Sequence, residues 1–208
     1  MRKGTGVDAE DWDERYAATD VVWSIEPNRF VAQEVADLPP GRAVDLAAGE
    51  GRNAIWLASR GWEVTAVDFS GVGIDKGREL AGDVEVDWVV ADVLEWEPDA
   101  PYDLALLIYL QVPAPQRREA VRRAHAALAP GGTLLVVAHD TTNLTEGVGG
   151  PQDASVLMTA EDVLADLEGL PHEVVRAERV ERPVTVQEEH RGEVDRVALD
   201  CLVRVVRR

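Results

Sequence analysis

Three aspartates, Asp45, Asp68 and Asp92, each stand where a short apolar run ends, and the first run leads into Gly49-Glu50-Gly51-Arg52-Asn53-Ala54. Glycines at such a corner let a ligand reach the backbone with no Cβ in the way. The stretch satisfies the dinucleotide pattern G-x-G-x-x-G/A, and Asp68 follows at the expected distance. A pyrophosphate is nevertheless opposed by Glu50 in the loop and by Asp45 before it. A ligand with a cationic group, a ribose and a purine but no phosphate, as in S-adenosylmethionine, meets these carboxylates better. Asp45 suits the ammonium or the sulfonium. Asp68 suits both ribose hydroxyls, because a carboxylate accepts two hydrogen bonds side by side. Phe69 offers a flat apolar surface to adenine, and Asp92 an acceptor for its amino group, with Val93 packing alongside. Any one of the aspartates alone would also serve as a helix cap.

A second group follows the run Leu134–Ala138, namely His139 and Asp140. Histidine titrates near neutrality, so His139 is a candidate general base and Asp140 a candidate to orient it. The same pair would also serve simply to satisfy backbone groups where the chain leaves a sheet. Tyr109, Trp23 and Asn143 are candidates for the acceptor pocket, and Trp12 and Tyr16, at i and i+4, for its wall on the cofactor side. The glycine-rich stretch 147–152 is placed to close over an acceptor. One histidine with scattered carboxylates defines no coordination sphere, so no metal is expected.

The elements that must position these groups are legible as an alternation. Val44–Ala48, Val64–Asp68, Val86–Ala91, Leu104–Leu110 and Thr133–His139 read as buried parallel strands. Asn53–Arg60, Gly71–Leu80, Pro115–Leu128 and Thr159–Leu167 read as helices, the third stopped by Pro130-Gly131-Gly132. His172–Val186 and Val194–Val206 read as a terminal antiparallel hairpin. Before the first strand, Asp8 is placed to cap one short helix, and Pro27 or Asn28 to start another with Phe30, Val31, Val35 and Leu38 facing inward. The expected fold is α/β, a doubly wound, Rossmann-like sheet with helices on both faces and an N-terminal helical cap. The organisation reads as one domain over 1–208: a cap over 1–40, a cofactor-binding half over 41–140, and a substrate-side loop, helix and hairpin over 141–208.

The 208 residues include 39 acidic and 21 basic side chains, a formal net charge of -18. Such a surface repels phosphate backbones and anionic lipid heads, which argues against nucleic acid and membrane partners. No apolar run is long enough to span a bilayer, and the first residues lack the apolar core of a signal peptide. Cys201, the single cysteine, reads as a buried structural thiol without a disulfide. A cytoplasmic protein, monomer or homodimer, acting on a small molecule is the expectation.

Asp45-Leu46-Ala47-Ala48-Gly49-Glu50-Gly51-Arg52-Asn53 resembles motif I of class I S-adenosylmethionine-dependent methyltransferases. Val67-Asp68-Phe69-Ser70 is similar to their second motif, Ala91-Asp92-Val93 to their third, and Leu128-Ala129-Pro130-Gly131-Gly132 to the turn before strand five. Trp12-Asp13-Glu14-Arg15-Tyr16 is similar to the N-terminal segment of small tellurite-resistance-type members, and the resemblance spans nearly the whole chain. Ala47 stands where the longer glycine motif begins with Gly, and Ala48 where many relatives have Cys or Gly. The resemblance implies a seven-stranded sheet with its last strand antiparallel, methyl transfer as the chemistry, and Ala47, Gly49, Gly51, Asn53 and Ile108 as further cofactor contacts. A nicotinamide-dependent oxidoreductase and a non-catalytic S-adenosylmethionine-binding protein stand as alternatives.

Overall fold

Runs of Val, Leu and Ala bounded by turn residues form strands because their side chains fill a pleated surface covered on both faces. In the computed structural model, which describes residues 9–18, 26–188 and 192–208, five such runs lie parallel. They are β1 (Arg42–Leu46), β2 (Glu63–Asp68), β3 (Asp87–Val90), β4 (Tyr102–Ile108) and β5 (Leu128–His139). The C-terminal segment returns as a hairpin of β6 (His172–Glu188) and β7 (Gly192–Arg207). The seven strands form a single sheet in the order β3-β2-β1-β4-β5-β7-β6. β7 enters antiparallel between β5 and β6, as the resemblance implies.

Successive residues of the central strands feed two separate cores. On one face Val44, Leu107 and Val136 pack with Ala120 and Val121 of α5 (Ala114–Ala126) and Val163 of α7 (Ala160–Asp166). On the other, Leu104, Leu106 and Val137 pack with Phe30 and Val31 of α2 (Arg29–Glu34) and Ala54 and Leu57 of α3 (Arg52–Ala58). The sheet is therefore doubly wound. Asn28 starts α2, its Oδ1 accepting from the Phe30 N–H at 2.9 Å. Asp8 lies outside the described residues.

Most element boundaries shift by one or two residues from the sequence reading, and the start of β5 shifts by more. β5 begins at Leu128, and Pro130-Gly131-Gly132 lies within it, absorbed by a shift in register between Tyr102 and Leu104. Gly131 takes φ +86°, and a Cβ on Gly132 would come 2.9 Å from the Tyr102 carbonyl oxygen, so both glycines are needed there. The chain runs outward from β1 through β2 to β3, then crosses to β4 on the other side of β1. That reversal opens a crevice beyond the carboxyl ends of β1 and β4, where ligands of such sheets bind.

Candidate functional site

Leaving β1, the backbone passes through Ala47, Gly49 and Gly51 at φ of 60°, 59° and 73°. A side chain at Gly49 would come 2.5 Å from the Tyr16 hydroxyl oxygen, and one at Gly51 would strike the Trp88 ring. The loop is thus shaped by its neighbours as much as by its own torsions. Tyr16 belongs to α1 (Ala9–Ala17) and stacks on Trp12 with ring centroids 5.5 Å apart. Lys76 of α4 (Gly71–Ala81) donates to the Tyr16 carbonyl at 2.6 Å and pairs with Glu50 at 3.1 Å. Glu50 is therefore buried against a lysine rather than facing a ligand, which removes it from the argument against a pyrophosphate. That argument rests on Asp45.

Asp45 is 1% exposed, and its Oδ2 has no hydrogen-bond partner among the described residues. Burial pushes its carboxyl up to about 7; Arg52 opposes that rise and Asp68 adds to it. An unpartnered buried acceptor at the crevice floor is chemically suited to a cationic group such as an α-ammonium. Both oxygens of Asp68 are engaged by the chain, accepting from the N–H groups of Gly49 at 2.8 Å and Ser70 at 2.9 Å. Second lone pairs remain on both oxygens. Burial raises its pKa against the pull of these amides. Ser70, not Asp68, caps α4, accepting from Gly73 N–H at 3.0 Å, and its hydroxyl also bonds Asp13 of α1.

Phe69 is half-buried behind this turn, Val93 and Ile108 are buried, and Asp92 is exposed after β3, its Oδ1 accepting from Leu94 N–H at 2.9 Å. Asn53 is 4% exposed, and its Oδ1 accepts from the Asn28 N–H at 2.9 Å, so it fastens the N-terminal segment to α3.

At the ends of β4 and β5 the structure assembles a group only partly expected. The His139 ring packs against Tyr109 with centroids 4.9 Å apart, and its Nδ1 lies 3.1 Å from Oδ1 of Asp200, out of line for a hydrogen bond. Asp200 pairs with His139 across the β5–β7 ladder. Its Oδ2 accepts from the Tyr109 hydroxyl at 2.8 Å and from Nε of Arg182, on β6, at 2.7 Å. Burial alone would raise the Asp200 carboxyl, but His139, Arg182 and Tyr109 together hold it below the usual range. Burial and Asp200 push the Tyr109 phenol well up. Tyr109 adopts φ 59°, an uncommon conformation for an aromatic residue and one typical of functional sites.

The expected partnership of His139 with Asp140 is corrected. Asp140 turns back into its own loop, accepting from the Thr142 N–H at 2.9 Å and hydroxyl at 2.7 Å. Asn143 likewise serves the backbone, accepting from Leu199 N–H at 2.7 Å and donating to Gly149 O at 2.8 Å. It anchors α6 (Asn143–Glu146) and the loop after it to β7 rather than lining a pocket. That loop does reach the site, for a Cβ on Gly150 would lie 2.7 Å from the His139 ring. Trp23 lies outside the described residues. Asp200, Arg182 and Arg52 escaped the sequence reading. Arg52 is in the glycine motif itself and was legible, whereas Asp200 and Arg182 sit in alternating hairpin strands that give no local sign of a site. Among the described residues, no group of three or more His, Cys, Asp or Glu side chains is arranged to hold a metal, and no helix is long and apolar enough to cross a membrane.

Residues 43–132 match the family model described as a methyltransferase domain. The chain is 31% identical over 124 residues to the demethylmenaquinone methyltransferase of Clavibacter sepedonicus, covering 59% of this chain and 49% of that protein. It is 30% identical over 137 residues to the trans-aconitate 2-methyltransferase of Streptomyces coelicolor, covering 62% and 45%. The chain thus spans about half the length of these curated relatives. The N-methyltransferase NodS of Bradyrhizobium japonicum, solved with S-adenosyl-L-homocysteine, superposes with a TM-score of 0.72 over 96% of this chain and 98% of that one, at 18% identity. The sheet order and the superposition show the fold that NodS has, and the methyltransferase-domain match and the likeness to the two curated methyltransferases cover only part of the chain.

Proposed function

We propose that this chain is a class I S-adenosylmethionine-dependent methyltransferase that transfers a methyl group to an oxygen nucleophile on a small molecule, with His139 as general base. The observation that carries the cofactor assignment is the buried, unpartnered oxygen of Asp45 beside the glycine loop. In this reading Asp45 holds the α-ammonium and Asp68 the ribose hydroxyls, while the backbone at Ala47, Gly49 and Gly51 gives close approach. Phe69, Asp92, Val93 and Ile108 surround adenine, Trp12 and Tyr16 close the N-terminal side, and Asn53 supports the loop from behind. When bound, S-adenosylmethionine supplies a methyl carbon made electrophilic by its positive sulfur.

What the chain contributes is alignment and proton transfer. For a hydroxyl acceptor, the carbon–oxygen bond forms as the carbon–sulfur bond breaks, and the hydroxyl proton passes to His139. Nδ1 faces Asp200, so Nε2 is the nitrogen that takes it. Asp200 holds the ring and balances the imidazolium charge. The two relatives named for demethylmenaquinone and trans-aconitate support a small-molecule acceptor.

Calorimetric titration with S-adenosylmethionine, S-adenosylhomocysteine and NAD tests the cofactor; binding of the first two without NAD is expected, and NAD binding alone overturns it. A panel of hydroxyl, amine and thiol acceptors, read as S-adenosylhomocysteine release, then tests transfer. On the acceptor found, His139→Ala should slow a single turnover by roughly 10²–10⁴-fold with cofactor affinity nearly unchanged. An unaltered rate retires the base and leaves alignment alone.

A further inference from the structure

The chain leaves β5 at His139, makes an excursion through residues 140–157, and comes back to the residue it left, the Met158 N–H donating to the His139 carbonyl at 3.4 Å. Asn143, 3% exposed, latches that excursion. Its amide nitrogen donates to the Gly149 carbonyl at 2.8 Å, and its Oδ1 accepts from the Leu199 N–H at 2.7 Å. The Val148 N–H adds a bond to the Val197 carbonyl of β7 at 3.2 Å. Residues 148 and 149 are thus tied to α6 and β7, and the next residue, Gly150, is set against the His139 imidazole. A Cβ at Gly150 would lie 2.7 Å from Cδ2 and 2.8 Å from both Cγ and Nε2. A point nearly equidistant from three adjacent ring atoms at that range lies above the ring face, not in its plane. Gly150 therefore covers a face of the imidazole and leaves the in-plane direction of the Nε2 lone pair clear of itself. The Tyr109 ring packs on the same imidazole with centroids 4.9 Å apart, and Asp200 stands 3.1 Å from Nδ1. Face, neighbouring ring and Nδ1 edge are each met by a different part of the chain.

We infer that Gly150, latched by Asn143, is a positioning residue that clamps the His139 ring by its face and so fixes the direction in which Nε2 points. This rests on the reading of His139 as the general base. Glycine is required because a side chain would sit well inside the roughly 3.5–4.0 Å at which carbon atoms meet. Either the ring or the latched loop would then have to give way, and a misplacement of about 1 Å at a catalytic group can cost about 10²-fold in rate. Gly149 is a matched control. Its φ of 72° is close to the 74° of Gly150, so alanine carries similar backbone strain at either position, but a Cβ at Gly149 meets nothing within 4 Å.

The test compares Gly149→Ala and Gly150→Ala in the full chain. Imidazole nitrogen resonances, with His139 assigned by its loss in His139→Gln, report which ring nitrogen carries the proton of the neutral form. The parent and Gly149→Ala should both hold it on Nδ1, toward Asp200, and Gly150→Ala should move it toward Nε2. Asn143→Asp keeps the acceptor for Leu199 but loses the donor to Gly149, so it should shift the proton partway, and it serves as a second variant should Gly150→Ala fail to fold. On the acceptor found by the panel, Gly150→Ala should slow a single turnover by about 10–10²-fold, with S-adenosylhomocysteine affinity nearly unchanged. Identical tautomers and rates in the two alanine variants, or a parental tautomer in a normally melting Gly150→Ala, overturn the inference. If His139→Ala leaves turnover unaltered while Gly150→Ala still moves the tautomer and Gly149→Ala does not, the clamp is supported and the base reading falls.

Discussion

The two ends of the crevice each bury a carboxylate, and they treat it in opposite ways. Asp45, on β1, has an oxygen with no hydrogen-bond partner among the described residues and a pKa raised to about 7. Asp200, on β7, is 0% exposed yet carries Arg182 and the Tyr109 hydroxyl on one oxygen and His139 beside the other, and its pKa is lowered. Burial is common to both; the supply of partners decides the sign. An unpartnered buried acceptor is costly and is kept where a ligand completes it. A carboxylate with three partners holds its surroundings in place.

The contrast is broken most sharply at Asp200. Asp200→Ala leaves Arg182 without its counter-charge and frees both Tyr109 and His139. Losing one member of such a buried pair should cost about 3–5 kcal/mol, read as a lower denaturant midpoint with unchanged slope. Because the pKa of Asp200 is lowered on folding, its stabilisation is present above the ordinary carboxylate range and is lost as pH falls below it. The variant should therefore show a weaker acid-side decline than the parent. A midpoint within experimental scatter of the parent's would mean the four side chains are not energetically coupled.

The sequence made the cofactor end legible and the acceptor end only in part, and the reason is locality. Asp45 and Asp68 lie in the last two residues of β1 and β2 and Asp92 just after β3, so strand end and proposed ligand contact coincide in one short motif. His139 was found in the same way, at the end of a central strand. Its partner came from residue 200, across a ladder that pairs β5 with the last strand. Asp140, adjacent in sequence, had already been claimed by its own turn through Thr142. Arg182 reads as one more charge on an alternating edge strand until register places it against Asp200. Glu50 shows the opposite error: a carboxylate within the motif, but paired to Lys76 of α4 and buried at 3% exposure.

Asp68 sharpens the comparison from the cofactor side, for it joins loop-holding to the proposed ribose contact. Asp68→Ala should weaken S-adenosylhomocysteine binding by about 1.5–3 kcal/mol, the range for hydrogen bonds to a charged partner. Since its oxygens also hold the Gly49 and Ser70 amides, the melting temperature should fall with it. Calorimetry and thermal unfolding of the same preparation separate the two. Lost stability with full affinity would leave Asp68 a clasp for the loop and nothing more.

The effect most specific to Asp45 is a pH slope of opposite sign to that of Asp200. The folded-state pKa of about 7 lies above the unfolded value near 4, so between these limits the folded chain keeps a proton that the unfolded chain has released. This group's contribution to stability therefore falls as pH rises through that window, by up to about 1.4 kcal/mol per unit, and levels off above it. Ligand binding reverses the preference. An α-ammonium against Asp45 favours the ionised form, so S-adenosylhomocysteine should bind more tightly as pH rises toward and past 7, releasing a proton as it binds. Titration in buffers of different ionisation enthalpy measures that proton directly. Asp45→Asn keeps the shape and removes the titration: its affinity should be weaker at high pH, its proton release near zero, and its stability flatter across the same window. Proton release undiminished in Asp45→Asn would assign the titrating group elsewhere and leave the ammonium without its proposed partner.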